Sequence, residues 1–205
     1  AVNDAPVVND TIFKVVENST EMDAALNVND VDDSKFDFAF DATDANYEEV
    51  NSLFTIDENG HIQVKENVLL NYEGKNEYTI TVKVTDKAST TSGNDKKTVS
   101  AQVTIQILDD NEKPVIRDTT FFVDEKVVAG AVGKVTASDE DTWTVLTYTL
   151  ADVSANDPVA NLFTIDSDGL VKIADGVSLD YESRDEYIIK VIVTDNGGEH
   201  GFSDL

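Results

Sequence analysis

Cysteine is absent from all 205 residues, which excludes disulfide frameworks, thiolate metal sites and cysteine nucleophiles. Cations are scarce as well. Fifteen Lys and Arg stand against 41 Asp and Glu, a formal net charge of −26. A phosphate backbone or an anionic membrane surface meets repulsion from that field, so neither is an expected partner. No apolar run approaches the roughly 18–20 residues that a membrane span needs. Only two histidines occur, His61 after a hairpin glycine and His200 in a loop, and neither accompanies a convincing nucleophile arrangement. Aromatic residues make up 8% of the chain and sit mostly at core-parity positions, which leaves few for stacking sugars on a sheet face. No signal peptide opens the sequence; Ala1-Val2-Asn3-Asp4 reads as a cut inside a longer protein.

What is present is a hydrophobic fraction of 40%, enough for packed cores and too much for a disordered acidic tail. There is also an internal repeat. Ser52-Leu53-Phe54-Thr55-Ile56-Asp57 recurs 109 residues later as Asn161-Leu162-Phe163-Thr164-Ile165-Asp166. The same shift carries Tyr72-Glu73 onto Tyr181-Glu182 and Val84-Thr85-Asp86 onto Val193-Thr194-Asp195. Near the N-terminal edge the shift is 108, taking Pro6 to Pro114 and Glu17 to Glu125. Two tandem copies follow, residues 1–110 and 111–205.

Each copy reads as all-β. Tyr78–Thr85 and Val99–Ile107 alternate apolar with polar residues, so one row faces a core and the other faces water. Further strands are expected at Thr11–Val16, Met22–Val28, Phe36–Phe40, Leu53–Asp57 and His61–Val64, with one or two helical turns in Asp44–Asn51. Glu58-Asn59-Gly60 and Ser167-Asp168-Gly169 read as hairpin turns. About seven short strands per copy make an antiparallel Greek-key sandwich. A shift of 109 puts the counterpart of Thr98–Leu108 near residues 207–217, so the second sandwich is expected to lack its last strand.

Most acids are solvated surface, but those that repeat gather at strand ends and between the copies. They are Glu17, Asp30, Asp32, Glu73 and Asp86 in the first copy, and Glu125, Asp139, Asp141, Asp180, Glu182 and Asp195 in the second. Between the copies runs Asp109-Asp110-Asn111-Glu112-Lys113-Pro114. Bare neighbouring carboxylates repel; a hard divalent cation with six to eight oxygen ligands turns that repulsion into attraction. An acidic surface dense in Asp suits a compartment rich in calcium, outside the cell.

These motifs resemble those of the cadherin repeats over essentially the whole chain. Val15-Val16-Glu17-Asn18 matches the glutamate after the first strand. Asn29-Asp30-Val31-Asp32 and Ala137-Ser138-Asp139-Glu140-Asp141 match the Asp-x-Asp motif. Leu179-Asp180-Tyr181-Glu182 and Leu70-Asn71-Tyr72-Glu73 resemble Leu-Asp-Arg-Glu, the latter with an amide in place of one carboxylate. Asp86 and Asp195 match the strand-end aspartate, and Asp109-Asp110-Asn111-Glu112 resembles the linker, with Glu for Asp.

The resemblance implies two or three Ca²⁺ between the domains. Glu17, Asn71 and Glu73 would come from the first domain, and Asp109, Asn111 and Glu112 from the linker, with Asp110 through its carbonyl. Asp139, Asp141 and Asp195 would come from the second domain. Asn71 lowers the charge at one ion, and Thr142-Trp143 replaces the family's Gly and Asn after Asp-x-Asp. Asn3, Asp4, Asp30, Asp32 and Asp86 form half of a similar, weaker site. The implied function is that of a calcium-rigidified adhesion module at the cell surface, with adjacent domains of the same protein as partners. A passive stalk and a carbohydrate-binding module are the alternatives, and a second copy or a cell-surface carbohydrate the candidate ligand. Carboxylates committed to a metal are poor glycosidase candidates, so no enzyme is expected.

Overall fold

The computed structural model describes residues 3–22, 24–87, 95–151, 159 and 161–197. The chain divides into two compact units, Ala1–Asp110 and Asn111–Glu199.

Unit 1 contains β1 (Val7–Val8), β2 (Thr11–Val16), β3 (Val28–Asn29), β4 (Phe36–Phe40), α1 (Tyr47–Leu53), β5 (Phe54–Ile56), β6 (Ile62–Val64), β7 (Glu77–Asp86) and β8 (Thr98–Leu108). Its main sheet runs β2-β8-β7-β4, with β1–β3 and β5–β6 as two-stranded ladders. The period-two pattern sets the register. Tyr78 faces Ile105, Ile80 faces Val103, and Val82 faces Ala101, so every inward position pairs apolar with apolar. Ile80, Val82, Val84, Val103, Ile105 and Ile107 are all essentially buried. One pairing departs from the antiparallel expectation: β2 runs parallel to β8, from Thr11 beside Val103 to Val16 beside Leu108.

Two local expectations need correction. Met22–Val28 forms no continuous strand among its described residues. Ala24 and Leu26 are buried at alternate positions, but the only bridge joins Ala25 to His61, and β3 begins at Val28. Alternation alone therefore does not supply a ladder partner. Leu53 closes a helix instead of opening a strand. Asp44 starts the turn by accepting from the Asn46 and Thr81 N–H groups (both 2.9 Å), Glu48 and Glu49 sit favourably in the first turn, and Val50 is fully buried.

Unit 2 contains β9 (Val115–Ile116), β10 (Ala131–Lys134), β11 (Ala137–Ser138), β12 (Thr147–Leu150), β13 (Phe163–Ile165), β14 (Leu170–Ile173) and β15 (Val191–Thr194). These form sheets β10-β14-β13, β11-β9 and β12-β15 around a smaller core that includes Val135, Phe163, Val171, Ile173 and Leu179. The repeat is visible in side-chain detail. Phe54 meets Tyr78 edge-on at 5.6 Å, with Lys75 over the ring at 4.7 Å. In unit 2, Phe163 meets Tyr187 edge-on at 5.7 Å, with Arg184 over it at 4.9 Å. Both hairpins turn on an aspartate. Asp57 Oδ1 accepts from the Asn59 and His61 N–H groups, and Asp166 Oδ1 from those of Asp168 and Leu170. Gly60 and Gly169 supply the left-handed residue, at φ +80° and +86°. The strand expected near 207–217 lies outside the described residues.

Candidate metal centres

Each unit carries carboxylates at both of its ends. At one end of unit 1, β2 finishes beside the end of β8, so Glu17 emerges at the start of the acidic linker. Its N–H donates to the Leu108 carbonyl at 2.9 Å. Its carboxylate is 1% exposed and accepts from two backbone donors, Tyr72 N–H (2.8 Å) and Asp110 N–H (3.0 Å). Asn71 Oδ1 accepts from the Gly74 N–H and closes the turn that carries Glu73. One Glu73 oxygen thereby comes within 4.8 Å of a Glu17 oxygen, and one within 4.8 Å of an Asp109 oxygen. Glu17, Asn71, Glu73 and Asp109 are thus brought to one place, while Asp110 supplies backbone and its side chain stays exposed.

At one end of unit 2, Asp139 Oδ1 accepts from the Asp141 N–H at 3.1 Å, an Asx turn that puts both carboxylates on one side of the loop. Asp141 is 7% exposed, and its Oδ2 accepts from the Glu112 N–H at 3.0 Å. Asp195 Oδ1 accepts from Gly197 N–H at 2.9 Å, and a Cβ on Gly197 would lie 3.8 Å from Asn111 Oδ1. Asn111, Glu112, Asp139, Asp141 and Asp195 therefore share this end. Asp139 Oδ2 is buried without a hydrogen-bond partner. Burial, and then the negative charges of Asp141 and Asp195, push the Asp139 carboxyl above its ordinary value.

The other end of unit 1 gathers Asn3, Asp4, Asp30, Asp32 and Asp86, together with Asp33, which motif reading passed over. Asp30 Oδ1 accepts from the N–H groups of Asp32 (3.0 Å) and Asp33 (3.1 Å), and one oxygen of each aspartate lies within 4.8 Å of the others. Burial raises Asp30, but those backbone donors outweigh it and hold the carboxyl below its usual value. Burial and the neighbouring Asp30 side chain raise Asp32. Asp86 is fully buried and accepts from Lys97 N–H (2.9 Å) and Asn3 Nδ2 (2.8 Å); the same amide donates to the Asp95 carbonyl. The signal for Asp33 was its position directly after Asp-x-Asp. At the opposite end of unit 2, oxygens of Glu125, Asp180 and Glu182 lie within 4.8 Å of one another.

These donor sets fit a hard cation. They are all oxygen, mostly carboxylate, and they include buried oxygens that nothing else satisfies, at Asp30, Asp32, Asp33 and Asp139. Pairs of charges 4.8 Å apart repel by about 3–4 kcal/mol at an effective dielectric near 20, so such clusters call for a counter-charge.

The family model of the Cadherin domain matches residues 12–108 and again 119–204. The chain is 31% identical over 154 residues to Cadherin-related family member 1 of Gallus gallus, across 71% of this chain and 16% of that protein. It therefore spans about one sixth of that relative. The mouse Cadherin-23 EC22-24 structure superposes at a TM-score of 0.64 with 20% identity, covering 96% of this chain and 62% of that one. Human Protocadherin-24 EC1-2 also gives 0.64, at 16% identity, with coverage of 94% and 96%. Cadherin domains are extracellular adhesion-type modules, and no described helix here is long and apolar enough to cross a membrane. A repeat of about 109 residues, two β-rich units, acidic strand ends and a family match over both copies lead to one assignment: the chain belongs to the cadherin family and carries two tandem cadherin domains.

Proposed function

We propose that this pair of domains binds two or three Ca²⁺ ions between its two units and so serves as a calcium-rigidified adhesion module of a longer surface protein. Unit 1 would contribute Glu17, Asn71, Glu73, Asp109 and the Asp110 carbonyl. Unit 2 would contribute Asn111, Glu112, Asp139, Asp141 and Asp195. Asn3, Asp4, Asp30, Asp32 and Asp86 would form a weaker half-site toward a preceding domain. The observation that carries this reading is the Asp139–Asp141 loop, where a buried carboxylate oxygen without a partner faces two further acids. The calcium, when bound, supplies positive charge and vacant coordination positions. The chain's own work is to hold the oxygens in place through the Asx turn at Asp139 and the two backbone donors on Glu17. No catalytic role is assigned to these carboxylates.

Trp143, the only tryptophan, stands two residues after Asp141 and is 83% exposed. It is a built-in antenna. Terbium, a hard trivalent substitute for calcium, should give sensitised emission when this tryptophan is excited, and calcium should quench it by competition. Asp141→Ala should remove most of the signal, whereas Asp57→Ala, at a hairpin, should keep it. Equal emission from the wild type and Asp141→Ala would overturn the assignment. Small-angle scattering with calcium and with chelator then tests rigidification, for which identical profiles are the refuting result.

A further inference from the structure

The loop that carries Asp-x-Asp is spaced differently in the two units. In unit 1, β4 and β7 pair up to Phe36 beside Asp86, and one position further the Lys87 N–H donates to the Lys35 carbonyl at 3.1 Å. Lys35 lies three positions after Asp32. In unit 2, β12 and β15 pair up to Thr147 beside Thr194, a register that sets Val145 across from Asn196. Val145 lies four positions after Asp141, the matching aspartate, so one residue more must fit between the motif and the strand. Trp143 sits in that stretch at φ +66°, a left-handed conformation that is costly for a bulky side chain. The bond that follows also differs. The Val145 N–H needs an acceptor and finds one in a side chain, Asn196 Oδ1, at 2.8 Å. Asn196 directly follows Asp195, whose own Oδ1 accepts from Gly197 N–H at 2.9 Å. The acidic loop is therefore fastened twice, by the Asp139 carboxylate on the Asp141 N–H and by Asn196 beside Asp195.

We infer that Asn196 is a positioning residue for the metal centre of unit 2: by holding the Val145 N–H it fixes the Asp139 and Asp141 carboxylates relative to Asp195. This role rests on the calcium binding proposed for these carboxylates and adds the residue that sets their affinity. A hard cation needs several oxygens at about 2.3–2.6 Å at once, so groups carried on a slack loop must first be ordered, and the ordering lowers affinity. With the Asn196 bond gone, Trp143 relaxes from its left-handed conformation and carries Asp141 away from Asp195. Unit 1 has no such dependence, because its corresponding bond runs from backbone to backbone.

The test compares Asn196→Ala and Asn196→Asp with the unaltered 205-residue chain. In chelator, amide exchange at Val145 should quicken about tenfold in Asn196→Ala, the scale of one hydrogen bond. It should stay slow in Asn196→Asp, which keeps an acceptor oxygen. Terbium emission sensitised by Trp143, displaced by calcium, then reads the metal. Both midpoints should weaken about tenfold in Asn196→Ala, the scale for a group that orients ligands, and should not weaken in Asn196→Asp. All titrations are run well below each variant's melting temperature, where a merely structural role would leave the midpoints unmoved. Unchanged midpoints in Asn196→Ala overturn the inference while the calcium binding of the unaltered chain stands. Unchanged exchange at Val145 overturns it as well. If the unaltered chain binds neither terbium nor calcium, the calcium proposal itself is refuted and this role falls with it.

Discussion

Among the described residues, the two cadherin domains share a fold plan, while strands that match in sequence have different numbers of neighbours. In unit 1, β7 lies between two strands, β8 and β4, and Ile80, Val82 and Val84 are essentially buried. In unit 2, the described partner of β15 is β12 alone, and the equivalent inward residues are half-buried. Across the described residues, the same alternating pattern is buried where its strand has two neighbours and half-buried where it has one. Burial is a property of the neighbours as much as of the residue.

The largest effect that could break this comparison comes from truncating the two cores. Ile105→Ala should destabilise unit 1 by about 3–4 kcal/mol, as a full cavity in a closed core requires. Ile189→Ala should cost unit 2 less than about 2 kcal/mol. Equal losses in denaturant titrations would mean that the cores are equally closed.

A second contrast lies in the buried glutamate. Glu17 holds two backbone donors, whereas Glu125 accepts from Tyr181 N–H at 3.3 Å and is more exposed. In chelator, Glu17→Gln should cost unit 1 about 1.5–3 kcal/mol, the range for charge-assisted bonds, and Glu125→Gln less than about 1. Thermal melts of both variants would measure the difference.

Acid titration sharpens the comparison further, because Asp41 in unit 1 and Asp139 in unit 2 carry shifts of opposite sign. The Lys83 ammonium and then the Thr43 backbone N–H lower Asp41 to about 2. Its contribution is present above its unfolded value of 3.8 and is lost as pH falls towards 2. Asp41→Asn should therefore flatten the acid limb of unit 1 across that window. Asp139 is raised, so its contribution is present below its unfolded value and is lost as pH rises through the higher folded value. In chelator at neutral pH, Asp139→Asn should raise the melting temperature of unit 2 by a few degrees, while weakening the response to calcium. A fall in stability without metal would contradict the repulsion assigned to that loop.

The smallest expected effect concerns a turn. Asn67 and Gly176 occupy equivalent left-handed positions, φ +62° and +78°, and nothing lies within 4 Å of a Cβ built on Gly176. Gly176→Asn should change stability by less than about 0.5 kcal/mol. Gly169→Ala, where the new Cβ would meet the Val135 carbonyl oxygen at 2.5 Å, is the sensitive control.

Much of the fold was legible because the repeat and the alternation carry it: β2, β4, β7 and β8 lie where period two places them. Pairing was less legible. Nothing in Thr11–Val16 announces that its neighbour would be parallel, and Met22–Val28 alternates without gaining a ladder. Leu53 was misread because the helix before it leaves only Val50 as a buried anchor, too few positions to show a helical period. At the candidate sites, motif order drew attention to the acids that the structure gathers at each unit's ends. It missed Asp33, although its place directly after Asp-x-Asp was a signal; the Asp30 carboxylate accepts from the Asp33 N–H three residues on and so folds the loop that gathers the three acids.

The parallel alignment of β2 with β8 also has a mechanical meaning. β2 enters unit 1 near its start and β8 leaves near its end, so tension along the chain pulls the two strands in opposite directions along their shared edge. The rungs from Thr11 beside Val103 to Val16 beside Leu108 are then loaded together, in shear, and cannot be peeled open one at a time. For a module that works under tension, this geometry turns six weak rungs into a single clamp, set by strand direction alone.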